Sequence, residues 1–460
     1  MRNEQVRSEK SEVRKGKKPR AARPEALSDF SLHTSHFVVP RLRFPEFRTE
    51  SGWATIELRR VSAFVNERVG ATSCTPYTVT SGVGLVSQQE KLGRTIAGNS
   101  LRNYVVLQKN DFAYNKSATK AFPQGFIARY VGDERAAVPN SIFTCFRTNE
   151  EAVDPTFLDN LFSTNLHGQW LRSRIAVGAR AHGSLNVSDD DLMSLPVPVP
   201  QGESSLAEQQ KIADCLTSLD EVIAAQGRKV EALKAHKRGL MQQLFPREGE
   251  TRPRLRFPEF RDAPEWIPRP LDELAKRGSG HTPSKSHPEY YNGGIKWVSL
   301  ADSKQLDSGF ISETAVEISQ KGIANSSAVL HPAGSVILCR DAGVGKSAVM
   351  KDSMAVSQHF MAWICDPAAL SNWFLYYLFQ LMKPIFEDVA SGSTIKTIGF
   401  PFFKELKVVA PQLAEQHRIA DCLSSLDAQI TAESDQLAAS KTHKQGLMQQ
   451  LFPAPAEADT

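Results

Sequence analysis

Residues 208–246, EQQKIADCLTSLDEVIAAQGRKVEALKAHKRGLMQQLFP, return as EQHRIADCLSSLDAQITAESDQLAASKTHKQGLMQQLFP at 415–453, with 24 of 39 positions identical and no gap. Apolar residues fall at Ile212, Leu216, Leu219, Ile223, Val230, Leu233, Leu240 and Leu244, an alternating 4,3 spacing in which Gln226 and Lys237 are polar occupants of the same stripe. The second copy keeps the register at Ile419, Leu423, Leu426, Ile430, Leu437, Leu447 and Leu451, interrupted by Glu433, Ser440 and Lys444. Such a heptad stripe predicts a coiled-coil helix in each copy. At 1.5 Å per residue each helix would be about 55–60 Å long, more than an ordinary domain core covers. Alone, each stripe would stay in water; pairing the copies removes it at roughly 25 cal/mol per Å². The two stripes are therefore expected to form one helix–helix seam. Two core helices of a repeat protein would show the same periodicity, so the choice rests on the material around them.

That material is also duplicated. RLRFPEFR occurs at 41–48 and again at 254–261, directly after the first long helix, and a tryptophan follows five residues later in both copies, at Trp53 and Trp266. One unit is thus written twice: a FPEF lead-in, a globular stretch of about 150 residues, and a long helix ending in QLFP. The C-terminal QLFP would hand over to the lead-in at Phe44–Phe47, which predicts a cyclic, pseudo-two-fold arrangement with the helices antiparallel. The expected organisation is a basic arm over 1–40, a globular domain over 41–205, a spacer helix over 206–246, a second globular domain over 247–412, a second spacer helix over 413–453, and a tail over 454–460.

The chain is long enough for about three domains with cores of their own. Its net charge of +4 permits contact with a polyanion and argues against an acidic DNA mimic. Six cysteines without CxxC spacing indicate neither structural zinc nor a disulfide frame, and reduced thiols fit a cytoplasmic protein. No apolar run approaches the length of a membrane span, and no apolar signal-peptide core is expected at the N-terminus. Nine Lys or Arg in residues 1–24 predict an arm that does not fold alone.

The two globular inserts barely align with each other. Apolar β-rich runs at 104–107, 141–146, 334–339 and 360–365 alternate with helical candidates at 156–170 and 370–381, so the expected fold class is mixed α/β, or α+β. Both inserts finish in a proline-flanked strand, at 195–200 and 406–411.

No complete catalytic motif is present. DAGVGKS at 341–347 ends like a phosphate-binding loop, but Arg340 stands where that loop needs its first glycine, so a tight turn is the expectation. Scattered histidines such as His182, His281 and His359 suggest no ligand set. Planar polar and basic residues do gather in loop-like stretches, where they can read base edges or hold phosphates. In the first insert the candidate DNA-binding residues are Gln88, Lys91, Arg94, Asn115, Lys116, Arg180 and His182. In the second they are Thr282, Ser284, Lys285, Tyr291, Asn292, Lys296, Arg340, Lys346, Ser393 and Lys396. No catalytic, cofactor-binding or metal-ligating residue is assigned. A coiled-coil scaffold whose inserts bind peptides, a stand-alone DNA-binding repressor, and an enzyme built on the DAGVGKS turn are the competing readings.

The paired EQxxIAxxLxxLD starts at Glu208 and Glu415, the QLFP ends, the FPEF lead-ins, and Gly280, Thr282, Pro283, Tyr291, Gly294, Ile295, Trp297 and Val298 as GxTP then YxxGxIxWV together resemble the specificity subunit of type I restriction-modification systems. The first insert has only Thr75, Pro76 and Tyr77 as an echo of the GxTP run. The resemblance implies two target recognition domains, each reading half of a split, asymmetric double-stranded DNA sequence. It also implies helices that set the gap and dock the partner subunits. Adenine-N6 methylation with S-adenosylmethionine would belong to the modification subunits, and ATP- and magnesium-dependent translocation and cleavage to the restriction subunit. The present chain would itself be non-enzymatic, cytoplasmic and without a bound cofactor.

Overall fold

The computed structural model describes residues 39–80, 83–175, 185–392 and 396–453; the basic arm up to residue 38 and the tail 454–460 lie outside them. Two compact units result. One comprises the described residues up to Asp214 with those from Met448 onward, and the other is Cys215–Leu447.

Both heptad stretches are continuous helices, Ser205–Leu244 and Leu413–Leu451. Each stops at a Phe-Pro pair, because proline bars the α conformation from the residue before it and has no N–H to donate. No position of either stripe is exposed. Within the second unit the helices run antiparallel. Lys444 lies 2.6 Å from Asp220, Lys229 2.5 Å from Glu433 and Lys237 2.5 Å from Asp427, so residue numbers fall on one helix as they rise on the other. Gln226 also donates to the Glu433 carboxylate, and Lys229 with Gln226 holds that carboxyl below its ordinary range. Gln226, Lys237, Glu433 and Lys444, polar interruptions of the stripes, thus find partners across the seam, which fixes its register. Tyr377 donates to Asp427 at 2.8 Å and ties the pair to the globular part of this unit.

The first unit contains β1 (Trp53–Glu57), β2 (Ser62–Phe64), β3 (Thr75–Thr80), β4 (Gly84–Ser87), β5 (Val105–Leu107), β6 (Phe112–Asn115), β7 (Phe126–Arg129), β8 (Ala136–Val138), β9 (Phe143–Thr148) and β10 (Pro196–Pro200). They form sheets β2-β9-β6-β7 and β4-β3-β8-β5 and the antiparallel pair β1-β10. The second unit contains β11 (Ile267–Pro270), β12 (Ala275–Ser279), β13 (Tyr291–Val298), β14 (Phe310–Ile311), β15 (Glu317–Ile318), β16 (Leu330–His331), β17 (Val336–Cys339), β18 (Ser347–Met350), β19 (Met354–Val356), β20 (Phe360–Cys365) and β21 (Lys407–Ala410). Its sheets are β12-β20-β17-β18-β14 and β15-β13-β19-β16, with β11-β21 as the pair. Apart from β14 the two orders coincide strand for strand, including the one parallel pairing in sheets β4-β3-β8-β5 and β15-β13-β19-β16, β3 with β8 and β13 with β19. Inserts that barely align in sequence therefore share a topology, since a buried strand demands apolar volume rather than particular residues. In β10 the prolines recur at every second residue, which strips donors from only one edge of a strand that has a single partner.

The helix expected over 156–170 is two helices, Pro155–Ser163 and Leu166–Leu171, because Asn165 takes a left-handed conformation with φ of 63° between them. The helix expected over 370–381 runs over Asn372–Val389 and passes through Pro384.

The duplicated motifs build the same joint twice. In the first unit Arg43 donates to both oxygens of Glu208 at 2.7 Å, and Trp53 Nε1 donates to the same carboxylate at 3.1 Å. Trp53, Phe157 and Phe452 form an aromatic triangle, and Leu42 N donates to Gln450 O at 2.9 Å. In the second unit Arg256 grips Glu415 through two 2.7 Å bonds, Trp266, Phe374 and Phe245 form the triangle, and Leu255 N donates to Gln243 O at 2.9 Å. Gln209 and Gln416 each accept the backbone N–H of the residue capping a domain helix, Asp154 and Ser371, at 2.9 Å. The FPEF lead-in, the EQ helix start and the QLFP end are parts of one buried clasp.

His167 is buried against Tyr114 and Phe162, with Nε2 3.2 Å from Gly125 O. Desolvation pushes its pKa from 6.5 down to about 4. A folded pKa below the unfolded one means stability that is full above pH 6.5 and lost as pH falls through 4, by about 3 kcal/mol from this group. Urea unfolding at successive pH values should show that loss, and His167→Gln should remove this part of the slope.

Candidate nucleic-acid interface

In the second unit the GxTP and YxxGxIxWV residues build a scaffold. Gly280 follows β12 so close to β19 that a Cβ would sit 1.9 Å from Val356 O, which excludes any side chain there. Trp297 Nε1 donates to His281 O at 3.1 Å, and Tyr291 OH donates to Pro283 O at 2.5 Å. Gly294, at φ of 80°, supplies the left-handed turn that the bulge in β13 requires. Thr282 then donates to Gln358 Oε1 at 2.5 Å, on the exposed turn between β19 and β20. Next on that turn, His359 Nδ1 lies 2.6 Å from Asp341 Oδ2 and its Nε2 lies 3.4 Å from Gln358 Nε2. With Nδ1–H given to the carboxylate, Nε2 is left to accept. Asp341 belongs to the DAGVGKS turn, so two stretches distant in sequence meet through Gln358 and His359.

The candidates divide sharply by commitment. Lys296 is held by Ser312 O at 2.6 Å and by Asp352 and Glu313 at 2.9 and 3.3 Å; the bond to Asp352 raises its pKa most. Arg340, expected to face phosphates, donates instead to Ile398 O at 3.0 Å and lies over the Phe400 ring. Lys346 donates to Ser303 O at 3.0 Å, and Ser347 is buried as the first residue of β18. The DAGVGKS turn is thus internally bonded and presents neither residue as a phosphate clamp. Thr282 and Tyr291 hold the scaffold together. Ser284 bonds Ser286 at 2.7 Å on an exposed loop, where Lys285 is also exposed, as are Asn292, at φ of 55°, and Lys396. Ser393 lies outside the described residues.

In the first unit Gln88 needs correction. It is buried, and its carbonyl accepts Ile96 N at 3.0 Å, so it organises the loop instead of facing a groove. Lys91 donates to Val79 O at 2.9 Å, Asn115 accepts Ser117 N at 3.0 Å, and Lys116 lies 3.5 Å from Asp189. Arg94 is exposed. Arg180 and His182 lie outside the described residues. Thr75, Pro76 and Tyr77 lie on β3, the counterpart of β13, so they do not occupy the place of the GxTP run. Arg94, Lys285 and Lys396 make no ion pair among the described residues, which leaves their charge available to a polyanion. Sequence reading gave Gln358 no role. Its only signal is its position two residues after the apolar run Met354–Val356.

Residues 264–439 match the family model described as the type I restriction modification DNA specificity domain. Among characterised proteins, the MjaIX specificity subunit of Methanocaldococcus jannaschii is 28% identical over 174 residues, 37% of this chain and 40% of that relative. The putative MjaX specificity subunit of the same organism is 24% identical over 306 residues, 66% of this chain and 68% of the relative. The first of these matches thus spans less than half the relative's own length. Among solved structures, a chain from work on assembly and conformational transition of a type I R-M system aligns with TM-score 0.55 at 18% identity, covering 88% of this chain and 98% of its own. The type I S subunit from M. genitalium aligns with TM-score 0.53 at 13% identity, covering 91% and 100%. At these identities the structural likeness speaks for the fold. The family model thus matches the second globular insert and most of the second long helix, and over these and longer stretches the chain is similar to type I restriction-modification specificity subunits.

Proposed function

We propose that this chain reads a bipartite, asymmetric double-stranded DNA sequence, with residues 41–205 and 247–412 each reading one half. The helices dock the modification and restriction subunits and set the length of the unread gap. Methylation, translocation and cleavage, with their S-adenosylmethionine, ATP and magnesium, take place on those partners, and the chain itself is the non-catalytic reader, acting in the cytoplasm. The observation that carries this reading is one strand order and one buried clasp in two units whose loops differ. A frame that must fit fixed partners keeps its residues, whereas surfaces that read different half-sites diverge. No helix among the described residues is long and apolar enough to cross a membrane.

Exchange of residues 262–411 for the corresponding insert of another specificity subunit is the direct test. Methylome sequencing should show one half-site replaced, and the other half-site and the gap unchanged. Change in both halves, or in neither, would refute the assignment of one half to each insert.

A further inference from the structure

We infer that the turn after the parallel strand pair of each unit carries a base-reading carboxamide: Gln358 between β19 and β20, and Asn140 between β8 and β9. This inference rests on the proposed role in DNA reading and adds to it the reading residues and the base they prefer. The two turns occupy equivalent places, since β8 and β19 each pair in parallel with the preceding long strand of their sheet and lead into β9 and β20. Read outward from the strands, Ala137-Val138-Pro139-Asn140 corresponds to Ala355-Val356-Ser357-Gln358, so the carboxamides fall at the same step. Both are exposed, whereas the strands that precede them are buried.

Gln358 is oriented in advance. Its Oε1 accepts Thr282 Oγ1–H and its Nε2 faces His359 Nε2, whose ring is fixed by Asp341. These partners consume one acceptor site on oxygen and one N–H. One acceptor site and one N–H remain on this exposed carboxamide. That pair matches adenine in the major groove, where N6–H₂ donates and N7 accepts; guanine offers two acceptors and would face the Gln358 oxygen with its own. Thr282 is a positioning residue in this arrangement, which explains why a threonine stands in the GxTP loop while its hydroxyl turns inward.

The test is selection of bound sites from a pool of random duplex DNA by the full chain with its modification subunits. Gln358→Ala should erase the preference for adenine at one position of one half-site, by roughly 5- to 150-fold, and Asn140→Ala should do so in the other half. Gln358→Glu should turn the preferred adenine into cytosine, whose N4–H₂ donates to a carboxylate. Thr282→Val should weaken the same position while affinity for DNA lacking the site stays constant, which a general loss of folding would not produce. A wild-type chain that selects a defined sequence, with Gln358→Ala selecting the identical one, overturns this assignment and leaves the DNA-reading function standing. A wild-type chain that selects no sequence overturns both.

Discussion

Glu415→Ala should lower the stability of the Cys215–Leu447 unit by about 3–5 kcal/mol, the effect of breaking a buried ion pair from one side. Glu415 is 1% exposed, and the Arg256 side chain that grips it is 6% exposed. Without the carboxylate the guanidinium keeps only Ala263 O and Pro264 O, at 2.6 and 2.9 Å, and stays charged away from water. Arg256→Ala should cost as much, and Arg256→Lys should fail to restore it, because an ammonium cannot supply two parallel N–H groups to one carboxylate. Replacing both by methionine should cost far less, since neither charge is then buried. Urea unfolding followed through the nearby Trp266 reads these differences. A loss at Glu415 no larger than that of a solvent-exposed surface ion pair would show that the clasp does not hold the helix to its domain.

Removing one heptad from each long helix should shift the DNA gap. Seven residues shorten a helix by about 10.5 Å, the axial rise of about three base pairs. The cross-seam pairs identify the segments to remove: 224–230 on the first helix lies opposite 432–438 on the second, and the cut takes out Lys229 together with its partner Glu433. Lys237–Asp427 and Lys444–Asp220 flank the cut and keep their register. Affinity for the original site should fall on the order of a thousandfold, toward non-specific binding. A site with a gap about three base pairs shorter should recover it, with both half-sites unaltered. Retention of the original gap would sink the proposal that helix length sets the spacing.

The frame was legible in the chain because its signals are periodic or repeated. A 4,3 stripe can be read without coordinates, and residues such as Arg43, Glu208 and Phe452 stood out by recurring at Arg256, Glu415 and Phe245. Even so, the repeat showed only that these motifs belong together; their bonding as one clasp emerged from the fold. The common topology of the inserts was hidden, because buried strands constrain volume and pattern and leave residue identity free. Among the loop residues, sequence could supply chemical type but not commitment. Lys296, Arg340 and Lys346 look like phosphate ligands in a string of letters, yet each spends its donors on carbonyls or carboxylates brought beside it by distant strands. Gln88 looked exposed and is buried.

Sequence by itself determined the duplicated architecture, the extent of the two rods and the position of their seam, since these follow from spacing along one helix and from identity between copies. Tertiary structure alone decided which polar side chains remain free for a partner and which are consumed inside the fold. Hydrogen-bond partners such as Thr282 with Gln358, or His359 with Asp341, lie far apart along the chain, and only folding brings their atoms within bonding distance.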